Sequence, residues 1–283
     1  MGTVVITGAT HGLGRLVAIE LARRGMNLGV VARSPAKVAD LRAEIGQIAP
    51  AATVDAFLGD LSVLADVRRV AKEISAHYDR IDVLINNVGQ HAFSQRVTAD
   101  GFAEMTAVNY LAPWLLTNSL RDKLVASAPA RVVTVASEAA RHAGDVDPAR
   151  DLTFTGDYTR RASATHYGRS KLMDIMFSQE LARRLAGTGV TANCCDPGFN
   201  ATGLGRELPF AGVLEKVLRG LHVGDPARGA AIITRLATDR VFATESGGYF
   251  SVNDAKPLVC PEPGRGETVQ RELWEATEKM VTR

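Results

Sequence analysis

A glycine-rich turn between an apolar strand and a helix constrains the fold of this chain more than any other feature. Residues Thr3–Thr7 are mostly β-branched and predict a buried strand. Gly8, Gly12 and Gly14 follow, and the pattern over residues 13–24 is helical. Glycines at such a turn let the backbone come close to a phosphate, and the helix N-terminus then faces a pyrophosphate. The turn predicts a dinucleotide-binding unit, with a plain tight turn as the alternative.

Strands and helices alternate along the rest of the chain. Asn27–Ala32 is a second apolar strand and completes a βαβ unit of about 30 residues. Further strands are predicted at residues 53–58, 81–85, 131–136, 190–195 and 248–252. Helices are predicted at residues 36–48, 63–78, 102–125 (with Pro113 as a kink), 166–185, 227–238 and 267–281. This alternation predicts an α/β fold, a Rossmann-type doubly wound parallel sheet of about seven strands with helices on both faces.

Polar and glycine residues stand where the predicted strands end, and ligands bind at that edge of such sheets. These residues are Gly8, Arg33, Asp60, Asn87 and Ser137. An acidic residue about 20 positions beyond the glycine turn usually holds the ribose 2′-hydroxyl of NAD. Here the position is occupied by Arg33 and Ser34, and His11 also lies close in sequence to the turn. We therefore expect NADP(H) over NAD(H), the alternative being that Arg33 is merely solvated.

Tyr167 and Lys171 are four positions apart in a predicted helix, so their side chains share a face. A free tyrosine has a pKa of roughly 10 and exchanges protons poorly at neutral pH. A neighbouring cation favours the phenolate and lowers that pKa. The pair is thus a candidate acid and base, although the same spacing also occurs by chance on solvated helices. The predicted dinucleotide-binding turn upstream favours the acid–base interpretation of the pair over chance spacing.

Composition excludes several kinds of partner. The net charge of +2 gives no electrostatic reason to expect nucleic acid or an acidic membrane surface. The sequence has no apolar run of about 18 residues, so no membrane span is expected, and the early strand leaves no room for a signal peptide. The three cysteines match neither a disulfide framework nor a metal site. A reduced, cytoplasmic protein without a metal is expected.

Taken together, these motifs resemble the short-chain dehydrogenase/reductase family over nearly the whole chain. The matching segments are Thr7-Gly8-x-x-x-Gly12-x-Gly14, Asp60-Leu61, Asn86-Asn87-Val88-Gly89 and Pro197-Gly198 with Thr202 after it. The resemblance implies four catalytic residues: Asn109, Ser137, Tyr167 and Lys171. The implied cofactor-binding set is Gly8, His11, Gly12, Leu13, Gly14, Arg33, Ser34, Asp60, Leu61, Asn87, Gly89, Tyr167, Lys171, Pro197, Gly198, Asn200 and Thr202.

Within that family the chain looks most like the retinol-dehydrogenase-like and WW-domain-oxidoreductase-like reductases. The likeness rests on Asp151-Leu152-Thr153-Phe154, on Tyr158, and on the segment around Lys171. Those relatives mostly prefer NADP. Two positions depart from their pattern: Asp174 stands where an Asn is common, and Asp196 replaces the His of His-Pro-Gly.

The resemblance implies reversible hydride transfer between NADP(H) and the carbonyl or alcohol of a moderately hydrophobic small molecule. Tyr167 would donate and accept the proton, Lys171 would lower its pKa, Ser137 would polarise the carbonyl, and Asn109 would hold a water in line with Lys171. A non-catalytic NADP-binding sensor or scaffold is one alternative. A sugar-nucleotide epimerase or dehydratase is another, although its glycine spacing differs from the one found here.

The expected organisation is a single NAD(P)-binding domain over residues 1–283, with a substrate lid around residues 199–224. The substrate pocket is expected to draw on His91, Phe93, Ser137, Phe199 and Phe210, although these side chains could equally be core or surface residues. Residues 138–164 form a polar, basic connection, which is either solvated or faces an acidic group on the substrate. The resemblance also allows a homo-oligomer, with the helices around Asn109 and Lys171 as interfaces.

Overall fold

The fold is built on an eight-stranded sheet within the part of the chain that the structure describes. The structure is a computed structural model, and it describes residues 2–198 and 225–282. The strands are β1 (Thr3–Thr7), β2 (Asn27–Ala32), β3 (Val54–Leu58), β4 (Val83–Asn86), β5 (Ala130–Val135), β6 (Val190–Asp196), β7 (Tyr249–Ser251) and β8 (Pro257–Leu258). The α-helices are α1 (Gly12–Arg23), α2 (Pro35–Ile48), α3 (Leu64–His77), α4 (Glu104–Thr106), α5 (Ala112–Ser119), α6 (Arg121–Ala126), α7 (Pro148–Thr153), α8 (Ser163–Arg184), α9 (Pro226–Thr238) and α10 (Glu267–Val281).

The strand order places the start of the chain at the middle of the sheet. The order is β3-β2-β1-β4-β5-β6-β7-β8, and β8 is antiparallel to β7 while the other pairs are parallel. In β1, Ile6 lies opposite Val30 on one side and Ile85 on the other. The chain therefore winds away from β1 in both directions, and the crevice between the ends of β1 and β4 is where ligands bind in such sheets.

The two faces of the sheet carry separate hydrophobic cores. One core includes the buried faces of α1, α2 and α9, with Val17, Leu41 and Ile233 among its members. The other gathers α3, α5, α8 and α10, where Trp114 and Trp274 are buried. Both faces of each central strand are thus covered, which explains the continuous apolar runs that the strands show in the sequence.

The predicted α/β fold, a doubly wound parallel sheet with helices on both faces, is confirmed. The prediction of about seven strands omitted β8, because a pair formed by two residues leaves no pattern in the sequence. The single helix predicted over residues 102–125 is wrong, since this stretch is divided into α4, a π-helical turn at Ala107–Leu111, α5 and α6. Pro113 lies in the first turn of α5, directly after the π-helical turn.

The connection at residues 138–164 contains small elements of its own. A 3₁₀ helix covers Glu138–His142 and α7 follows. The proposed lid at residues 199–224 lies outside the described residues, and so do Phe199, Asn200, Thr202 and Phe210.

Candidate active site

The turn after β1 is tied directly to the turn after β4. The Thr7 hydroxyl oxygen accepts the backbone N–H groups of Asn87 (2.9 Å) and Val88 (3.0 Å). In return, the Asn87 side-chain amide donates to the Thr7 carbonyl at 2.9 Å. Gly8 has a φ of 71°, and a Cβ on Gly14 would lie 2.4 Å from both the Asn87 Nδ2 and the Gly8 oxygen. Only glycine allows this close approach, so the residue pattern of the turn follows from its geometry.

A cleft of about 590 Å³ runs along the carboxyl edge of the sheet, within the usual size range of ligand and cofactor sites. It brings together most of the site residues that the sequence predicts. Those lining it are Gly8, His11, Gly12, Leu13, Gly14, Arg33, Ser34, Asp60, Leu61, Asn87, Gly89, Ser137, Tyr167, Lys171, Pro197 and Gly198.

One end of the cleft is positively charged. Arg33 follows β2 with 71% of its side chain exposed, and its Nη1 is 3.9 Å from the Asp60 carboxylate. Lys37, which the sequence reasoning missed, lines the same end from the first turn of α2. Ser34 caps that helix by accepting the Lys37 N–H at 3.4 Å. Two cations and a helix N-terminus there suit an anionic group. The Ser34-Pro35 cap is a signal that would have placed Lys37 in the first helical turn.

Tyr167 and Lys171 occupy the other end, on the same face of α8. The Lys171 side chain is buried, and its Nζ donates to the Val135 carbonyl and to Asp174 Oδ2, both at 2.9 Å. Ser137 caps the 3₁₀ helix that follows β5, accepting the Ala139 N–H at 3.2 Å. Burial raises the pKa of Tyr167, whereas the Lys171 charge and a hydrogen bond from Ser137 lower it. Lys171 therefore acts in the expected direction, but burial outweighs it.

Asn109 lies inside the π-helical turn and is fully buried. Its side-chain oxygen accepts the Gln90 N–H at 2.8 Å, and its Nδ2 donates to the Gln90 carbonyl and to Ser170 Oγ, both at 2.9 Å. The side chain thus joins the loop after β4 to α8, the helix that carries Tyr167. Holding a water in line with Lys171 stays a prediction for this residue.

The two departures from the family pattern are both buried carboxylates at this end of the sheet. Asp196 Oδ1 accepts the Glu138 N–H at 3.0 Å, which ties the end of β6 to the segment that begins at Ser137. Burial raises the pKa of Asp196, and backbone N–H donors oppose that shift. Asp174 instead forms an ion pair with Lys171. Neither contact is visible from the motif.

His91 lies beside the Tyr167–Lys171 pair, although its sequence position allowed a surface loop equally well. Its ring stacks on Tyr167 with centroids 4.9 Å apart and planes 16° apart, and its Nε2 lies 3.0 Å from Ser163 Oγ. Phe93 also packs against the histidine, with ring centroids 4.7 Å apart, and the Arg160 guanidinium covers the Phe93 ring. His91 also lines the cleft. This cluster forms one wall next to Tyr167.

Two basic residues of the 138–164 segment form ion pairs within it. Arg141 pairs with Glu138 at 2.6 Å, and Arg150 pairs with Asp151 at 3.0 Å. These pairs favour the solvated interpretation for Arg141 and Arg150.

The sequence also made predictions about disulfides, metal ligands and membrane spans. All three cysteines are buried and free of disulfides. Within residues 2–198 and 225–282, no cluster of three or more His, Cys, Asp or Glu side chains could hold a metal ion. In the same ranges no helix has both the length and the apolar character required to cross a bilayer.

Comparison with known proteins agrees with the geometry of the cleft. The family model for short chain dehydrogenases matches residues 2–149. The chain belongs to the short-chain dehydrogenase/reductase family. Human retinol dehydrogenase 13 is 37% identical to this chain over 286 residues, and the match covers 99% of this chain and 84% of the human protein. The match confirms the likeness to the retinol-dehydrogenase-like branch and shows an oxidoreductase.

Other relatives include a Streptomyces protein described as a daunorubicin C-13 ketoreductase, 34% identical, with 99% of this chain and 92% of that one covered. A crystal structure of an uncharacterised Mycobacterium paratuberculosis protein has a TM-score of 0.77 at 27% identity, covering 100% of this chain and 94% of that one. A Beutenbergia cavernae protein described as an NAD(P)-dependent gluconate 5-dehydrogenase, with NADP bound at low occupancy, has a TM-score of 0.68 at 26% identity, covering 89% and 94%.

Proposed function

We propose that this short-chain dehydrogenase/reductase is an NADP(H)-dependent enzyme that transfers hydride reversibly between the nicotinamide and the carbonyl or alcohol of a moderately hydrophobic small molecule. The observation that carries the proposal is one cleft with Tyr167, Lys171 and Ser137 at one end and two cations at the other. Relatives named as retinol dehydrogenases and as a ketoreductase act on alcohols or ketones by their names, which supports the same class of substrate here.

The residues of the cleft fit a dinucleotide. The tight packing of Gly14 against Gly8 and Asn87 leaves the turn open to a phosphate at the N-terminus of α1. Arg33 and Lys37 both line the cleft, and their charges would bind a ribose 2′-phosphate, which supports NADP(H) over NAD(H). A Cβ added to Gly89 would lie 3.2 Å from Lys171 Nζ. Glycine at this position therefore keeps the ammonium accessible beside the nicotinamide end.

Residues of α8 and of the segment after β5 transfer the proton and stabilise the charges that result. When bound, the nicotinamide supplies or accepts the hydride. In the reductive direction Tyr167 donates its phenolic proton to the carbonyl oxygen, and in the oxidative direction it takes a proton from the alcohol. Ser137 hydrogen-bonds the same oxygen as negative charge develops on it. Lys171 stabilises the phenolate that remains, since its charge lowers the pKa of Tyr167.

The wider organisation is proposed on the same basis. A single domain over residues 1–283, a lid at residues 199–224 and binding of cofactor by Asn200 and Thr202 remain predictions. A cytoplasmic location and a homo-oligomer are likewise proposed from the sequence and the family resemblance.

Replacing Tyr167 by Phe tests the function. Turnover of the best substrate in a panel of aldehydes, ketones and quinones should fall by about 100-fold or more, because the proton donor is lost. Binding of NADPH, followed by its fluorescence, should persist. Tyr78→Phe is the matched control, since its hydroxyl donates to Asp55 away from the cleft. Undiminished turnover in Tyr167→Phe would refute the assignment. A wild-type protein that binds NADPH but reduces no carbonyl would instead be a sensor or scaffold.

A further inference from the structure

A carboxylate is buried next to the ammonium that serves the catalytic tyrosine. Lys171 and Asp174 lie three positions apart on α8, and their Nζ and Oδ2 atoms are 2.9 Å apart. The two side chains are 4% and 1% exposed, so neither charge is screened by water. The second carboxylate oxygen, Oδ1, is buried and has no hydrogen-bond partner. The carboxylate is therefore bound through Lys171, at the cost of leaving a polar atom unsatisfied.

The pair determines how Lys171 presents its protons. An ammonium group has three N–H donors. One is given to the Val135 carbonyl and one to Asp174. The third is left for the cleft that Lys171 lines. Asp174 thus fixes the rotation of the ammonium as well as its position.

Several titratable groups surround the pair and interact with it electrostatically. They are Tyr167 on α8, Tyr110 in the π-helical turn, and Cys194 and Cys195 on β6. Burial raises the pKa of Tyr110 and of both thiols, which keeps them neutral at physiological pH. Lys171, Asp174 and Asp196 act on Tyr167 through their charges, and the titratable imidazole of His91 stacks on its ring.

We propose that Asp174 is a positioning residue that anchors Lys171 through this buried ion pair and partly offsets the positive charge that Lys171 presents to Tyr167. The inference rests on the proposed function. Asp174 thereby acts in the same direction as burial, and the two keep the proton on Tyr167 at neutral pH, which is the form that donates to a carbonyl. The site is in this way tuned for carbonyl reduction, and alcohol oxidation requires a higher pH.

The geometry and the charges agree on the direction of this effect. The Asp174 carboxylate raises the pKa of Tyr167, whereas Lys171 lowers it. Removing the carboxylate leaves the ammonium unopposed, so the phenolate becomes easier to form. The midpoint of alcohol oxidation, which needs the phenolate, must then move to lower pH. The upper limit of carbonyl reduction, which needs the phenol, must move in the same direction.

The test compares pH profiles of kcat/KM in both directions for wild type and Asp174→Asn, with NADP(H) and the best substrate of the panel. The oxidative midpoint should fall by about one pH unit or more, a usual shift for a close charge. Asp151→Asn is the matched control, because Asp151 is a buried carboxylate that is paired with Arg150 and Arg169 and does not line the cleft. That control should lower stability and leave the midpoint in place.

An unchanged midpoint in Asp174→Asn would overturn the inference. If this variant does not fold, Asp174→Ser supplies a second neutral side chain for the same profile. If neither variant folds, Asp174 has a structural role only, and the inference fails. Tyr167→Phe measured in parallel separates the two proposals. Full turnover in Tyr167→Phe refutes the proposed function, whereas an inactive Tyr167→Phe beside an unshifted Asp174→Asn refutes only the role of Asp174.

Discussion

At the scale of single residues, the two ends of the cleft differ in how their chemistry is set. Arg33 is exposed, and its charge acts on whatever enters the cleft. Tyr167 is buried, and its acidity depends on a balance between burial, Lys171, Asp174 and Ser137. A residue type alone therefore predicts the role of Arg33 more directly than the working pH of Tyr167.

Arg33→Ala should reduce kcat/KM for NADPH by about 10- to 100-fold, because a charge-assisted hydrogen bond to a phosphate is lost. Values for NADH should stay within about twofold, since NADH has no 2′-phosphate to bind there. Arg23→Ala removes the same charge from the last turn of α1, away from the cleft, and should change neither value. Parallel losses for both cofactors in Arg33→Ala would contradict a 2′-phosphate site.

At the scale of elements, the site depends on how closely α8 approaches the segment that follows β5. Gly168 is next to Tyr167, and a Cβ there would lie 2.6 Å from the Ala139 oxygen and 3.0 Å from the Ala143 nitrogen. The contact is with backbone atoms, which cannot rotate away as a side chain can. The absence of a side chain at Gly168 thus allows Ser137 and Tyr167 to share the cleft.

Gly168→Ala should lower the free energy of unfolding by about 1–3 kcal/mol through overpacking. It should also reduce kcat, because Ser137 is displaced from Tyr167. Gly46→Ala is the control within another helix, α2, where a Cβ would meet no atom within 4 Å. That change should stabilise by about 0.5–1 kcal/mol through helix propensity alone. Urea unfolding of both variants measures the difference, and equal stability would show that the α8 contact can relax.

At the scale of the whole molecule, α10 packs against α8, the helix that carries Tyr167, and so supports the candidate active site. Trp274 on α10 is buried and stacks on Phe177 of α8 with centroids 5.8 Å apart and planes 17° apart. The Trp274 ring also packs against Trp114 of α5, with ring centroids 5.2 Å apart. Thr277 and the Tyr110 hydroxyl are 2.7 Å apart and hydrogen-bonded, which connects α10 to the π-helical turn that holds Asn109.

Trp274→Ala should lower the free energy of unfolding by about 3–5 kcal/mol, since a large buried ring leaves a cavity between three helices. Chemical denaturation followed by circular dichroism measures the loss. Glu275→Ala, at an exposed position on the same helix, should change stability by less than about 0.5 kcal/mol. A small effect at Trp274 would mean that α10 is not part of the cooperative fold.

The amino-acid sequence by itself determined the alternation of strands and helices, the glycine turn after β1 and the Tyr167–Lys171 pair. These features are predictable because each depends on residues close together in the chain, through periodicity, turn geometry or helical spacing. The family resemblance added Ser137 and Asn109 for the same reason, since their motifs are local. The π-helical turn was missed, because its pattern does not differ from that of an ordinary apolar helix.

Only the tertiary structure decided which distant groups meet around Tyr167. The stacking of His91 on Tyr167 joins residues from different parts of the chain. The contact of Asp196 with Glu138 does the same. The spacing of Lys171 and Asp174 is visible in the sequence, but its meaning is not, because the strength of a charge pair depends on burial. Burial is a property of the packed molecule, and it is the reason we propose that the Lys171–Asp174 pair acts on the proton of Tyr167.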